Sequence, residues 1–314
     1  MCNTFDLNEE VRCDYFVTKK QKQIWECLLE LLSVVDKICE ENDIPYFAIG
    51  GTMLGAVRHK GFIPWDDDLD IAMLREDYNR FLRIGEREIG GKFFLQTTLT
   101  DQEYYKEHAR VRNSETTGIC EHLELHNCNN GIYLDILPLE NYQDSLPGHI
   151  HSKISRTIGR VLSVKVHHNT RSRNSMRSHI IYLISLFLNL RLTHRWREWF
   201  ETSYSRKPAK YVTLGNVYYS MYKPENLIFE RKDFERVERM LFENTTIPVP
   251  VGYDRILRIN YGDYMQFPPI EKRGLHHNIV FDPETPYKEY IEKNRDELAQ
   301  LKFIKKNNQN GELE

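Results

Sequence analysis

Apolar and polar positions along this chain recur with two periods, and the switches between them mark its elements. After a loose start over residues 1–14, Ile24, Leu28, Leu31, Leu32, Val35 and Ile38 repeat at helical spacing. Thr18 and Gln21 stand ahead of them as a capping-box pair, so a helix is predicted from about 18 to 41. The turn "ENDIP" ends it, and "YFAIG" reads as a short buried strand broken by Gly50-Gly51-Thr52. "TMLGAVRH" predicts a second helix, "DLDIAML" a strand and "REDYNRFLRIGERE" a third helix. "GKFFLQTTL" and "ARVRN" are candidate strands, and "GIYLDILPL" (131–139) is a stronger one. Beyond residue 146 the pattern looks helical. A helix is predicted at "KDFERVERML", and a closing one from Thr285-Pro286. The expected class is α+β, α/β in character in the N-terminal half, with a mostly helical second half.

The 314 residues, 40% hydrophobic and 28% charged, suffice for a sizeable core and do not suggest disorder. A net charge of −3 gives no overall reason to expect nucleic acid, and no aromatic-studded basic module is present. The charge is unevenly spread, however. Residues 153–210 hold thirteen Lys and Arg against Glu198 and Glu201 alone. The apolar run "IIYLISLFLNL" inside this segment is too short to span a bilayer, so a peripheral contact with anionic lipid is the sharper reading and a solvated face the plainer one. Six cysteines without a CxxC pair, and no secretory signal, lead to the expectation of a reduced, cytoplasmic chain, peripheral at most to the inner face of a membrane. Cys120, His122, His126 and Cys128 are all zinc-ligand types, but their spacing matches no common finger, which leaves zinc the weaker reading.

The chemistry gathers around "IPWDDDLDIAML" (63–74). Strand alternation lets Asp66, Asp68 and Asp70 share one face while Leu69 and Ile71 turn to the core. Two carboxylates about 4 Å apart repel by about 4 kcal/mol at an effective dielectric of 20. Such a cluster needs a proton, a basic partner or a cation, and Mg²⁺ suits hard oxygen ligands. Gly50, Gly51 and Thr52 at the start of a helix offer N–H groups to phosphate. Arg58, His59 and Lys60 in the connection that follows could add cationic donors. Asp135, in "YLDIL", is either salt-bridged to an arginine or a third acidic partner to Asp68 and Asp70, as ligand or base. Gly-Gly, a paired-aspartate strand and a later strand-borne aspartate outline a nucleotidyltransferase-like core, a small mixed sheet flanked by helices.

"FAIGGTMLGAVRHKGFIPWDDDLDIAMLREDYNRF" closely resembles the signature of the LicD family, which includes the fukutin-type proteins, and "GIYLDILPL" and "ILRINYGDYMQFPP" followed by two histidines resemble its later blocks. With the shift in composition near 146, the expected organisation is a catalytic core at 15–145, a basic helical insertion at 146–210 that carries little of this signature and a C-terminal helical part at 211–306 completing the site, with flexible tails at 1–14 and 307–314. The resemblance implies a nucleotidyltransferase-like fold for the core. It also implies transfer of a phospho-alcohol unit, phosphocholine or a polyol phosphate, from a CDP-activated donor to a hydroxyl of a glycan or lipid-linked glycan, with release of CMP. Asp68, Asp70 and Asp135 would be catalytic and hold Mg²⁺ or Mn²⁺, and Gly50, Gly51 and Thr52 would cradle the donor phosphates. Arg58, His59, Lys60 and Arg112 would stabilise charge, and Asp66, Tyr261, Asp263, His276 and His277 would contact substrate. Two rivals stand beside this reading. One is a nucleotidyltransferase moving NMP with release of pyrophosphate; the other is a non-catalytic scaffold in glycan assembly.

Overall fold

The computed structural model describes residues 5–101, 104, 106–120, 128–166, 176–205, 209–214, 227–274 and 279–298. A hairpin of β1 (Glu10–Arg12) and β2 (Tyr15–Val17) leads into α1 (Lys19–Glu41), where Thr18 caps the helix by accepting the Gln21 N–H at 3.2 Å. Then come β3 (Phe47–Ala48), α2 (Gly50–His59), β4 (Asp70–Leu74) and α3 (Arg75–Glu88). β5 (Phe93–Gln96), β6 (Ala109–Asn113), β7 (Thr117–Cys120) and β8 (Ile132–Tyr142) follow. The basic segment forms α4 (Leu146–Val166), α5 (Met176–Leu186) and α6 (Leu190–Ser205), helical as its pattern suggests.

The chain then returns to strands, which corrects the expectation of a mostly helical second half. β9 (Tyr211–Thr213) and β10 (Ile228–Glu230) are followed by a hairpin of β11 (Val237–Phe242) and β12 (Thr245–Pro250). After these lie α7 (Tyr253–Tyr261), β13 (Ile279–Asp282) and α8 (Tyr287–Lys293). The segment "KDFERVERML", predicted helical, is a single 3-10 turn at Arg231–Phe234 and then β11. Two features override its helix propensity. Glu243 adopts a left-handed φ of 54°, so the strand folds back on the β-branched run Thr245-Thr246-Ile247. Its carboxylate is also claimed from a distance, by Arg12 Nη1 at 2.6 Å, Arg12 Nη2 at 2.9 Å and the Phe62 N–H at 3.0 Å.

The central sheet is mixed. β4 and β8 run parallel, β3 is antiparallel to β4, β6 is antiparallel to β8, and β5 extends β6. β9 pairs with the last residues of β8 and β10 with β9, so strands beyond residue 210 belong to this sheet as well. β4 lies between two strands, and Ile71, Ala72 and Met73 are fully buried, the near-continuous apolar run that a two-sided interior requires. Against the sheet α1 buries Trp25, Leu28, Leu31, Leu32 and Val35, each worth about 1.5–3 kcal/mol in transfer from water. Among the described residues no helix is long and apolar enough to cross a membrane.

Candidate active site

Three pieces of chain meet where β3 ends and α2 begins. Gly50 takes a φ of +55°, which swings the backbone out of the strand and into the helix. The Ile49 N–H donates to the Asp70 carbonyl at 3.2 Å, and the Asp70 N–H donates to Thr52 Oγ1 at 2.8 Å. The first turn of α2 is thus tied to the first residue of β4. Thr52, buried, serves as a clamp on Asp70 through its hydroxyl.

The glycines let side chains approach. A Cβ on Gly51 would lie 2.6 Å from Asp66 Oδ2, and one on Gly50 would lie 3.8 Å from Asp70 Oδ2 and 3.9 Å from Tyr261 Oη. Asp66, Asp70, Tyr261 and the N-terminus of α2 therefore converge, although Tyr261 comes from the end of α7. The turn that carries the aspartates is fixed by α1: Trp25 Nε1 donates to the Asp66 carbonyl at 2.9 Å, and Gln21 Nε2 to the Pro64 carbonyl at 2.7 Å. The expected alternation is present. Asp66, Asp68 and Asp70 are half-buried, while Asp67 and Leu69 are each 1% exposed. Regular strand begins only at Asp70, so Asp68 stands on the approach to it.

Asp135 is the parallel register partner of Asp70, which puts the two side chains on the same face of neighbouring strands about 4.8 Å apart. On its other side Asp135 faces Arg110 of β6. Arg110 Nε donates to Asp135 Oδ1 at 2.5 Å and Nη2 to Oδ2 at 3.4 Å, with the guanidinium 3.6 Å from the centre of the Tyr133 ring. His108 Nε2 lies 3.2 Å from Asp135 Oδ1. Burial pushes the Asp135 carboxyl up, but Arg110 and His108 together overcome it and hold the group well below the usual carboxylate range. Burial lowers His108 in spite of Asp135, so the ring is neutral and donates from Nε2 to an oxygen that can only accept. The side chain of Asp135 is 15% exposed and can still be reached from outside.

Arg110 was not among the sequence candidates. The signal was there: in "ARVRN" two arginines share one face of a strand, and a buried guanidinium demands a carboxylate or carbonyl partner. Arg112, which was a candidate, is fully buried and committed to Gln96 Oε1 at 2.5 Å and the Gly131 carbonyl at 2.6 Å.

The basic triplet stands at the opposite end of α2 from the glycines. Eight residues of helix separate Gly50 from Arg58, about 12 Å along the axis. Arg58 is anchored to the carbonyls of Tyr264 at 2.6 Å and Gln266 at 3.1 Å. His59 accepts from Arg58 Nε at 2.9 Å and stacks on Phe267. Burial first, and then the charges of Arg58 and Arg12, press His59 down to about 4, so it is uncharged at neutral pH. Lys60 is exposed and caps α2 in a left-handed conformation. Asp263 is exposed and accepts from Gln266 Nε2 at 2.6 Å.

His276 and His277 lie outside the described residues, as do His122 and His126 and the side chain of Cys120; Cys128 is buried. Among the described residues no group of three or more His, Cys, Asp or Glu stands placed to hold one metal ion. The donor chemistry nonetheless suits a hard divalent cation, because Mg²⁺ is commonly held by one or two carboxylates together with substrate phosphates and water.

The fold and site define an α+β protein in which two strand-borne carboxylates, Asp70 and Asp135, stand in register beside a glycine-opened helix. Residues 43–149, a segment that holds both glycines and all four site aspartates, match the family model described as LicD/FKTN/FKRP, nucleotidyltransferase domain. The lipopolysaccharide cholinephosphotransferase LicD of Haemophilus influenzae is 28% identical over 268 residues, covering 83% of this chain and 96% of that protein. The ribitol 5-phosphate transferase FKRP of Mus musculus is 28% identical over 111 residues, covering 35% of this chain and 20% of that protein. An uncharacterised Rickettsia typhi protein, RT0683, is 46% identical over 57 residues, 18% of each chain.

Proposed function

We propose that this protein is a transferase that moves a phospho-alcohol unit, of the phosphocholine or polyol phosphate class, from a CDP-activated donor to a glycan hydroxyl, on a nucleotidyltransferase-like core. The reading rests on one observation above all: Asp70 and Asp135 are register partners on adjacent strands, next to Gly50 and Gly51. The relatives named as cholinephosphotransferase and ribitol 5-phosphate transferase support the class of group transferred.

Asp68 and Asp70, with Asp135 beside them, would hold Mg²⁺ or Mn²⁺ together with the donor phosphates, and the ion when bound would offset charge on those phosphates and on the departing CMP. The acceptor hydroxyl attacks the phosphorus that carries the alcohol, the bond from that phosphorus to the CMP oxygen breaks with the electron pair going to CMP, and the hydroxyl proton passes to water or to the departing CMP phosphate. The N–H groups at the start of α2 orient the donor phosphates, with the positive end of the helix dipole facing them. Asp66 and Tyr261 flank this seat and position what lies in it. Asp135 is a weak proton acceptor, because Arg110 and His108 hold it ionised, so its part is electrostatic. The loose transition state of phosphoryl transfer asks little of a base, and positioning and charge carry most of the rate.

The test is to incubate the protein with Mg²⁺, CDP-choline or CDP-ribitol, and a glycan acceptor, and to follow CMP. Nucleoside triphosphates in a parallel reaction are followed for pyrophosphate. CMP release that depends on the donor, the acceptor and the metal is expected. Asp70→Asn should lower it by about a hundredfold or more with the melting temperature little changed. Pyrophosphate release instead would identify a nucleotidyltransferase, and neither product a scaffold. Near-normal turnover by Asp70→Asn would refute the site.

A further inference from the structure

The basic helices α4, α5 and α6 are patterned inside out. A surface helix ordinarily turns its apolar stripe to the core and its polar face to water. In α5, Ser185 is fully buried, while Ile180, Leu183 and Ile184 are more than half exposed and Phe187, just past the helix end, is 91% exposed. The spacing of these four, i, i+3, i+4 and i+7, places them on one stripe. In α6 His194 and Arg197 are buried, the latter ion-paired with Glu107, whereas Leu192, Trp196 and Trp199 stand out. α4 repeats the arrangement, with Ser155 inside and Ile150 and Ile154 outside.

Charge accompanies this apolar surface. Arg191 and Arg195 are exposed beside Leu192 and Trp196, within a segment holding thirteen basic residues against two acidic ones. A second copy of the chain would bring an equally basic face against this one, and like charges repel. An anionic surface attracts it. Tryptophan has an apolar body and a polar N–H, which suits the boundary between lipid headgroups and acyl chains. At 11 residues α5 is about 16 Å long, roughly half the hydrocarbon thickness of a bilayer, so it can lie on a membrane but not cross it.

We propose that the exposed faces of α4–α6 dock on the surface of an anionic phospholipid bilayer. Trp196, Trp199, Phe187 and the α5 stripe enter the headgroup boundary, and Arg191 and Arg195 meet lipid phosphates. This does not depend on the transferase reading.

The full chain is floated with vesicles of phosphatidylcholine alone, and with vesicles of phosphatidylcholine mixed with phosphatidylglycerol, at low and at high salt. Binding is expected on the anionic vesicles and should weaken with salt. The double variant Trp196→Ser/Trp199→Ser should bind about tenfold or more weakly. So should Arg191→Glu/Arg195→Glu, an independent check that touches no apolar contact. All these side chains are exposed, so the melting temperature should hold. Failure to bind anionic vesicles, binding by both variants as tight as the parent's, or self-association that the tryptophan substitutions abolish would overturn the proposal.

Discussion

Consider Arg110→Met. The arginine is 1% exposed, donates twice to Asp135 and lies over Tyr133, so methionine keeps some of the packing and removes the charge. Breaking a buried ion pair from one side costs about 3–5 kcal/mol, because the remaining charge is left uncompensated. Here the low end applies. His108 still donates to Asp135, and the 15% exposure of the carboxylate admits water. A cost of about 3 kcal/mol lowers the melting temperature of a chain this long by about 4–5 °C. The pH dependence carries the mechanism. In the parent the folded carboxyl lies well below its unfolded value, so its stabilisation is complete above about pH 4 and lost as the pH falls through the folded value. In the variant, burial, the largest influence on Asp135, is no longer opposed by the arginine, and the folded value rises above the unfolded one. Asp135 then contributes most below the unfolded value, and that contribution is lost as pH rises through the folded one. The gap between variant and parent should therefore be wide at pH 7.5 and narrower at pH 5. Thermal melts followed by far-UV circular dichroism read both quantities. A shift under about 2 °C at neutral pH, or a gap that widens on acidification, would refute the account of how Asp135 is held. Mg²⁺ should raise the melting temperature of the variant more than that of the parent, since a cation would replace the lost guanidinium.

Gly51→Ala should separate stability from activity. Alanine favours the helix by about 0.5–1 kcal/mol, yet its Cβ would stand 2.6 Å from Asp66 Oδ2 and push that carboxylate aside. An unchanged or higher melting temperature with transfer reduced about tenfold or more is expected; full CMP release would remove Asp66 from the site. His59, pressed to about 4 by burial and by Arg58 and Arg12, makes stability fall as pH drops from about 6.5 toward 4, because only the unfolded chain takes up the proton in that window. His59→Gln should flatten the melting temperature over the same window, and an unchanged slope would show that other groups govern it.

The elements carried by local periodicity were legible along the chain: α1 with its cap, α2 opening at the glycines, β4 and α3 in succession, and β8. So was the alternation that leaves Asp66, Asp68 and Asp70 half-buried and buries Asp67 and Leu69. The distance from the glycines to Arg58 was legible too, since helix rise per residue is fixed, though the basic triplet had been read as part of the phosphate seat. Three things depended on the folded arrangement. The 237–250 hairpin forms because Glu243 is held by Arg12 and Phe62, a contact no local window contains. The partner of Asp135 is Arg110 because β6 runs antiparallel to β8 in one register, and register is set by which faces the sheet buries. Tyr261 reaches Gly50 because α7 packs back on α2 from late in the chain. Periodicity is a property of neighbouring residues and survives in the bare sequence, whereas partnership between distant charges exists only once burial has made an unpaired charge too costly to leave alone.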